Sequence, residues 1–344
     1  AGVLGLFLVG TFLVHQYYSA REDRASAAFR EGTELVRANR HAEAAERFRQ
    51  ALSLARNDQY RLALGVALGE ADRTAEARVF LGQVIEREPR NGPALLAIAR
   101  VERREGSESA ALQAYRRAVE GEWPAGGAGL TQATFEYVQM LQSSGRERQA
   151  VAELLQLSER RNDPATGVRI GRALLDLGSA YEARSVFREV IEAYPGNVAA
   201  HAGLGEAEWA LGNTLTSVRA FREALRLNPG DESVRAQASV AERVLKLDPF
   251  GRGISAAERR RRSVALVEAT LEAFQSCAPR PFDRDTAGLV SRVEQLVRGG
   301  ARNRPLPSRS VTDTLALADS LWTRRAEACP SVPADPALSR ILSR

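Results

Sequence analysis

A reactive centre in this 344-residue chain would have to be assembled from three histidines, two cysteines and its many carboxylates. His15 follows an apolar run, His41 stands at a turn, and His201 occupies a recurring packing position. None has a nucleophile or a carboxylate pair at motif spacing, so general acid–base or triad chemistry is not expected. Cys277 and Cys329 lack a CxxC partner and no histidine lies near them, which excludes the ordinary zinc spacings. There is no phosphate loop, no haem-attachment CxxCH and no nucleophile elbow in the sequence. Glu31, Glu46 and Glu70 fall on helix faces expected to be solvated. The sequence therefore predicts no catalytic residue, no metal, no cofactor and no small-molecule substrate, and the chemistry it leaves is non-covalent recognition.

The elements that would carry such recognition show in a repeat. Ala44, Ala77, Ala111, Ala150, Ala183 and Ser217 form one column, with separations of 33, 34, 39, 33 and 34 residues. Twelve residues earlier stand Gly32, Gly65, Ala99, Val138, Gly171 and Gly205, mostly small enough for two helices to approach closely. Four residues later come Phe48, Leu81, Tyr115, Leu154, Phe187 and Phe221, large groups expected to fill the gap between neighbouring units. Asn39, Asp72, Gly106, Gly145, Gly178 and Gly212 share one register and tolerate the left-handed conformation that ends a helix. Pro89, Pro195 and Pro229, followed by Arg90-Asn91, Gly196-Asn197 and Gly230-Asp231, stop one hairpin before the next begins. The 39-residue step marks an insertion around Gly121 to Gly129.

A period of about 34 residues with these positions resembles the tetratricopeptide repeat (TPR) family across roughly residues 25 to 231. The resemblance implies an all-α TPR solenoid of helical hairpins, about six repeats closed by a capping helix, with residues 25–247 as one domain. It also implies a groove lined by the first helix of each unit. By register that groove presents Phe29, Thr33, Leu62, Val66, Leu96, Arg100, Arg103, Phe135, Gln139, Val168, Arg172, Glu206 and Trp209. Chaperone-binding members hold a C-terminal carboxylate in a lysine–asparagine clamp. This chain departs from that pattern, offering Phe29 and Thr33 in the first unit and Leu62 and Val66 in the second. An apolar, aromatic strip with a central arginine cluster suits an amphipathic segment carrying acidic groups.

Composition limits the partners. The chain is 44% apolar and 26% charged with a formal net charge of +5, nearly all of it arginine, Lys246 being the only lysine. That charge is spread over the helices rather than gathered in a tail, so nucleic acid is not an expected partner. The first 14 residues, AGVLGLFLVGTFLV, carry no charge, and Arg21 to Arg24 follow soon after. Residues 1–20 are read as a transmembrane anchor through Leu4, Leu6, Phe7, Leu8, Phe12 and Leu13, with Tyr17 and Tyr18 at the interface. A helix from Ala1 to Tyr18 would reach about 27 Å against a hydrocarbon core of ~30 Å, and residues preceding Ala1 are expected. The competing reading is a signal-peptide core, opposed by the bulky residue in Tyr18-Ser19-Ala20.

Beyond Pro249-Phe250-Gly251, residues 254–344 read as a C-terminal helical bundle. Segments near Ser255 to Ser276, Arg284 to Arg298 and Ser310 to Ala328 precede a short helix at Pro336 to Leu342. Apolar stripes lead to Cys277 and to Cys329, and in an up-down-up arrangement those two helix ends lie together, which makes the cysteines a disulfide candidate. Such a bridge favours an oxidising compartment. Arg259 to Arg262 is the strongest charge run, read as a solvated face or a docking patch for lipid phosphates or an acidic protein.

These readings converge on a non-catalytic, membrane-anchored bacterial scaffold that binds protein partners. The expected form is a structural or assembly subunit of a respiratory, photosynthetic or secretory membrane complex. Its expected place is the inner membrane, as a single-pass protein with the solenoid on the periplasmic side. The alternatives are a transient periplasmic peptide-binding adaptor, or an envelope polysaccharide module using Trp123, Trp209 and Trp322.

Overall fold

The computed structural model describes residues 2–124, 127–160, 163–251, 253–300 and 311–343. Among them every regular element is a helix, and the chain divides into two compact units, Ala1–Thr166 and Gly167–Arg344. The first contains α1 (Gly2–Arg37), α2 (His41–Leu54), α3 (Asp58–Glu70), α4 (Thr74–Arg87), α5 (Gly92–Arg104), α6 (Glu108–Val119), α7 (Ala128–Ser143) and α8 (Glu147–Arg160). The second opens within α9 (Pro164–Asp176) and continues through α10 (Ala180–Ala193), α11 (Val198–Ala210), α12 (Thr214–Leu227) and α13 (Glu232–Leu247). Four further helices complete it: α14 (Ala256–Gln275), α15 (Arg284–Gly300), α16 (Val311–Ala328) and α17 (Pro336–Leu342).

Each hairpin is set by two local devices. Between its helices a single residue turns left-handed: Asn39 and Asp72 at φ 59°, then Gly106, Gly145, Gly178 and Gly212 at φ 67–77°. Between hairpins an Asn or Asp caps the next first helix, its side chain accepting from the backbone N–H of Ala94 (Asn91), Ala200 (Asn197) or Val234 (Asp231) at 2.9–3.0 Å. Inside the hairpin, Ala44, Ala77, Ala111, Ala150, Ala183 and Ser217 are all at 0% exposure. The one hydroxyl in that column is satisfied, Ser217 Oγ donating to the Gly205 carbonyl at 2.8 Å.

The large residues four positions on do not only fill space between units. Phe48, Leu81, Phe187 and Phe221 press onto Gly32, Gly65, Gly171 and Gly205 of the first helix in the same hairpin. A Cβ on Gly205 would stand 2.5 Å from the Phe221 ring, and one on Gly171 2.6 Å from Phe187. Between the third and fourth hairpins, Trp123 folds back so that its Nε1 donates to the Ala118 carbonyl at 2.9 Å and its ring lies on Gly92 and Gly129. Gly92 N–H donates to Glu122 O at 2.9 Å and Glu122 N–H to Arg90 O at 2.6 Å, which ties the insertion to the preceding loop.

The amino-terminal expectation requires correction. No helix among the described residues is long and apolar enough to cross a membrane. Helix α1 is a single 36-residue helix in which the apolar run to Val14 is followed on the same helix by Arg21, Glu22, Asp23 and Arg24. The transmembrane helix in the predicted fold class, the single-pass inner-membrane location and the bilayer as a partner are therefore not supported. The side chains of Leu4, Leu6, Phe7, Leu8 and Leu13 lie outside the described residues, while Phe12, Tyr17 and Tyr18 are exposed. The other end of α1 is the first helix of the first hairpin, burying Ala25 and Ala28 against α2 and Tyr60.

In the second unit, α14 packs along α16 and α15 around Leu266, Val267, Phe274, Val293, Ala318 and Leu321. Val244 of α13 and Ile341 of α17 join the same core. Cys277 and Cys329 form a disulfide with their Cα atoms 6.0 Å apart and a sequence separation of 52. The Arg302 to Arg309 stretch lies outside the described residues.

Two stability outcomes follow from this packing. Gly205→Val is expected to lower unfolding free energy by about 2 kcal/mol through overpacking against Phe221. Gly82→Ala, on an open face of α4 with nothing within 4 Å of the added methyl, is expected to raise it by about 0.5 kcal/mol; urea unfolding of both variants checks the pair. Cys277→Ala/Cys329→Ala is expected to cost the second unit roughly 3 to 4 kcal/mol by releasing the loop in the unfolded chain, read from urea unfolding followed in that unit.

Candidate protein-binding surface

The first helices of the first unit are laced together by charge. Arg100 of α5 makes a two-pronged contact with Glu136 of α7, Nη2 to Oε1 at 2.6 Å and Nε to Oε2 at 3.0 Å. Gln132 Nε2 donates to Oε1 at 2.8 Å and the Tyr115 hydroxyl to Oε2 at 3.2 Å, so the carboxylate is fully engaged. On the other side, Arg100 lies 3.7 Å from Glu70 of α3, and Arg104 pairs with the same Glu70 and donates to the Gly69 carbonyl. Three successive first helices are thus joined through Glu70, Arg100 and Glu136.

Burial pushes the Glu136 carboxyl up, but hydrogen bonds from Arg100, Gln132 and Tyr115 and the Arg100 charge outweigh it and leave the group below its ordinary value. The hydrogen bond to Glu136 holds Arg100 above its ordinary value against the opposing pull of burial. Burial, with the neighbouring Glu136 charge, raises the Tyr115 phenol. These groups are built to stay charged or, for the phenol, neutral, and their roles are structural as well as electrostatic.

That arrangement changes the meaning of the arginine cluster. Arg100, half-buried, is neutralised by Glu136, whereas Arg103 on the next turn is exposed and no carboxylate pairs with it among the described residues. Gln139 is exposed beside it in sequence register on α7. The apolar candidates are mostly packed: Phe29 stacks on Tyr60 at 4.8 Å and meets Phe48 at 5.4 Å, Val66 and Leu62 are half-buried against the same core, and Leu96 and Phe135 are buried. Thr33 Oγ1 donates to the Phe29 carbonyl.

In the second unit, Arg172 is exposed on α9 and Val168 is buried one turn before it. Glu206 accepts from Gln237 at 3.1 Å. Trp209 is covered within its unit: Arg340 of α17 lies over the indole at 4.9 Å and donates to the Trp209 carbonyl at 2.8 Å. Trp322 carries Arg325 over its ring at 5.2 Å, and Trp123 is engaged as described above. None of the three indoles is an open platform of the kind a sugar-binding module needs.

The histidines have plain structural partners where these are described, His41 Nε2 with Asn39 Oδ1 at 2.8 Å and His201 Nε2 with the Pro195 carbonyl at 2.9 Å. No group of three or more His, Cys, Asp or Glu side chains among the described residues is placed to hold a metal. Sequence reasoning missed Glu136, and it read Glu70 as solvated and Tyr115 as packing alone, whereas Glu70 is half-buried between Arg100 and Arg104 and the Tyr115 hydroxyl donates to Glu136. A usable signal existed, since Glu70 and Arg104 stand 34 residues apart, one repeat, and Arg100 and Glu136 stand 36 apart.

Comparison with known proteins matches residues 62–126 and 168–232 to the tetratricopeptide repeat family. Those two stretches carry tetratricopeptide repeats. Among solved structures, YrrB, described as a TPR protein with an unusual peptide-binding site, is similar at 18% identity over 57% of this chain and 98% of its own, with a TM-score of 0.41. The C-terminal part of a TPR repeat-containing protein from Cytophaga hutchinsonii is similar at 14% identity over 89% and 97%, with a TM-score of 0.46. PilF of Pseudomonas aeruginosa is similar at 14% identity over 64% and 99%, with a TM-score of 0.41. No curated protein matches the chain. Tetratricopeptide repeat proteins bind peptides and proteins.

Folding lowers the Glu136 pKa, so the stability it contributes is complete above the ordinary glutamate value of 4.5 and is lost as pH falls through the depressed native value. Glu136→Gln is expected to remove about 1 to 2 kcal/mol near neutral pH and to flatten the acid side of the stability profile. Urea unfolding of wild type and variant between about pH 7 and about pH 3 reads both effects.

Proposed function

We propose that the protein is a non-catalytic adaptor that holds an extended, acidic segment of a partner protein against the first helices of its repeats. The observation that carries this reading is the selective neutralisation of the arginines. Arg100 and Arg104 are tied to Glu70 and Glu136, while Arg103 in the first unit and Arg172 in the second stand exposed without an ion-pair partner among the described residues. An exposed guanidinium on a rigid helix offers forked hydrogen bonds to a carboxylate and little to a basic chain. The packed apolar residues beneath it, Phe29, Val66, Leu96 and Phe135, hold the helices that present the charge.

A scaffold of this kind acts either as a lasting subunit of a larger protein assembly or as a transient escort. Co-elution of the native protein with a partner at fixed stoichiometry marks the first, and elution alone marks the second.

Selection of random peptides displayed on phage against the immobilised full chain tests the proposal. Enriched sequences are expected to be rich in Asp and Glu interspersed with apolar residues, and Arg103→Glu/Arg172→Glu is expected to shift the enrichment to Lys and Arg. Identical enrichment by wild type and variant would place recognition elsewhere on the molecule.

A further inference from the structure

The second unit carries a groove that the repeats do not form. It lies between the start of α14, the start of α16 and the Pro249–Phe250 turn, encloses about 540 Å3, and is lined by Pro249, Phe250, Val311, Leu315, Arg259 and Arg260. Its floor is apolar, and Phe250 is 53% exposed at its edge. Its charge comes from half of the Arg259 to Arg262 run. Arg261 and Arg262 both pair with Glu258, and Arg262 also donates to the Asp248 carbonyl at 3.2 Å, so these two brace the helix start. Arg259 and Arg260 are exposed, and no carboxylate among the described residues pairs with either. The nearest acids of the turn are already engaged, Asp248 Oδ1 accepting from Phe250 N–H at 2.8 Å and Glu258 accepting from Arg262 at 2.7 Å and ion-paired with Arg261.

Two unpaired guanidinium groups over an apolar floor ask for a ligand with both properties. A polyanion without apolar side chains would leave the floor and Phe250 wet, and an apolar segment without acids would leave the arginines unmatched. We propose that this groove is a second recognition site, binding a short acidic protein segment whose aromatic or aliphatic side chain seats between Phe250 and Leu315 while its flanking carboxylates pair with Arg259 and Arg260. The site belongs to the second unit's C-terminal helices and is independent of Arg103 and Arg172, so its failure and that of the repeat-face reading are separable.

Fluorescence anisotropy of the full chain carrying Arg103→Glu/Arg172→Glu, which removes the repeat face as a competing site, titrated into a fluorescein-labelled peptide in which Phe and Leu alternate with glutamates, tests the proposal. This parent is expected to bind it saturably and to bind an all-glutamate peptide about tenfold more weakly or worse. Arg259→Glu/Arg260→Glu is expected to lose about tenfold or more in affinity for the first peptide and to gain affinity for its counterpart with lysines in place of glutamates. Phe250→Ala is expected to weaken the Phe/Leu peptide specifically, and Arg261→Gln to leave it unchanged. All four substituted side chains are solvent-facing, and circular dichroism matching wild type confirms that the fold is retained. Absence of saturable binding, equal binding of the all-glutamate peptide, an unaltered affinity on adding Arg259→Glu/Arg260→Glu, or an equal loss in Arg261→Gln would each overturn the assignment.

Discussion

The structure depends on how closely two helices of a hairpin can approach, and that distance is fixed by glycine meeting an aromatic or leucine side chain. Where Gly171 faces Phe187 or Gly205 faces Phe221, the ring occupies the volume that a Cβ would need. Large groups thereby reach the 0–2% exposure at which dispersion contacts are complete, as Phe187, Leu81 and Phe221 do. The adjoining alanine column closes the same interface from the other side. A helix pair set this tightly leaves its outward positions in a fixed register, and any recognition by this chain inherits its precision from that register.

Charge is arranged on that frame by pairing rather than by abundance. A surplus of arginine over lysine reads, in composition, as a general attraction for acids. In the folded chain a good part of it is matched by carboxylates of the same chain. Arg49 and Arg73 link α2 and α4 through Glu46 and Glu76, Arg78 reaches from α4 to Glu102 and Glu105 of α5, and Arg188 satisfies the buried Glu208. Exposed pairs of this sort contribute little stability individually. Their effect is to cancel charge locally, so that the surface around each pair offers an anion less than a guanidinium left without a carboxylate does.

Much of the architecture was legible because it rests on backbone rules. The left-handed turns at Asn39, Asp72 and four glycines, and the Asn or Asp caps after proline, are read directly from residue types at fixed spacing. The close juxtaposition of Cys277 and Cys329 followed from two apolar stripes ending in register. What was not legible concerns partners across helices. Arg100 reads as a free cation until Glu136 is known to face it, and Trp209 reads as a groove residue until α17 is seen to fold over it. The amino-terminal helix misled for a different reason: an apolar run looks like an anchor in composition, whereas α1 continues through Arg21 and Asp23 into the first hairpin and no helix among the described residues is long and apolar enough to cross a membrane.

Arg340 seated on Trp209 has one more consequence. Because the guanidinium of a residue 131 positions later covers this indole and ties to its carbonyl, that stretch of α11 is already occupied by the chain itself, and α17 is locked to the repeats by an aromatic contact and a hydrogen bond at the same point.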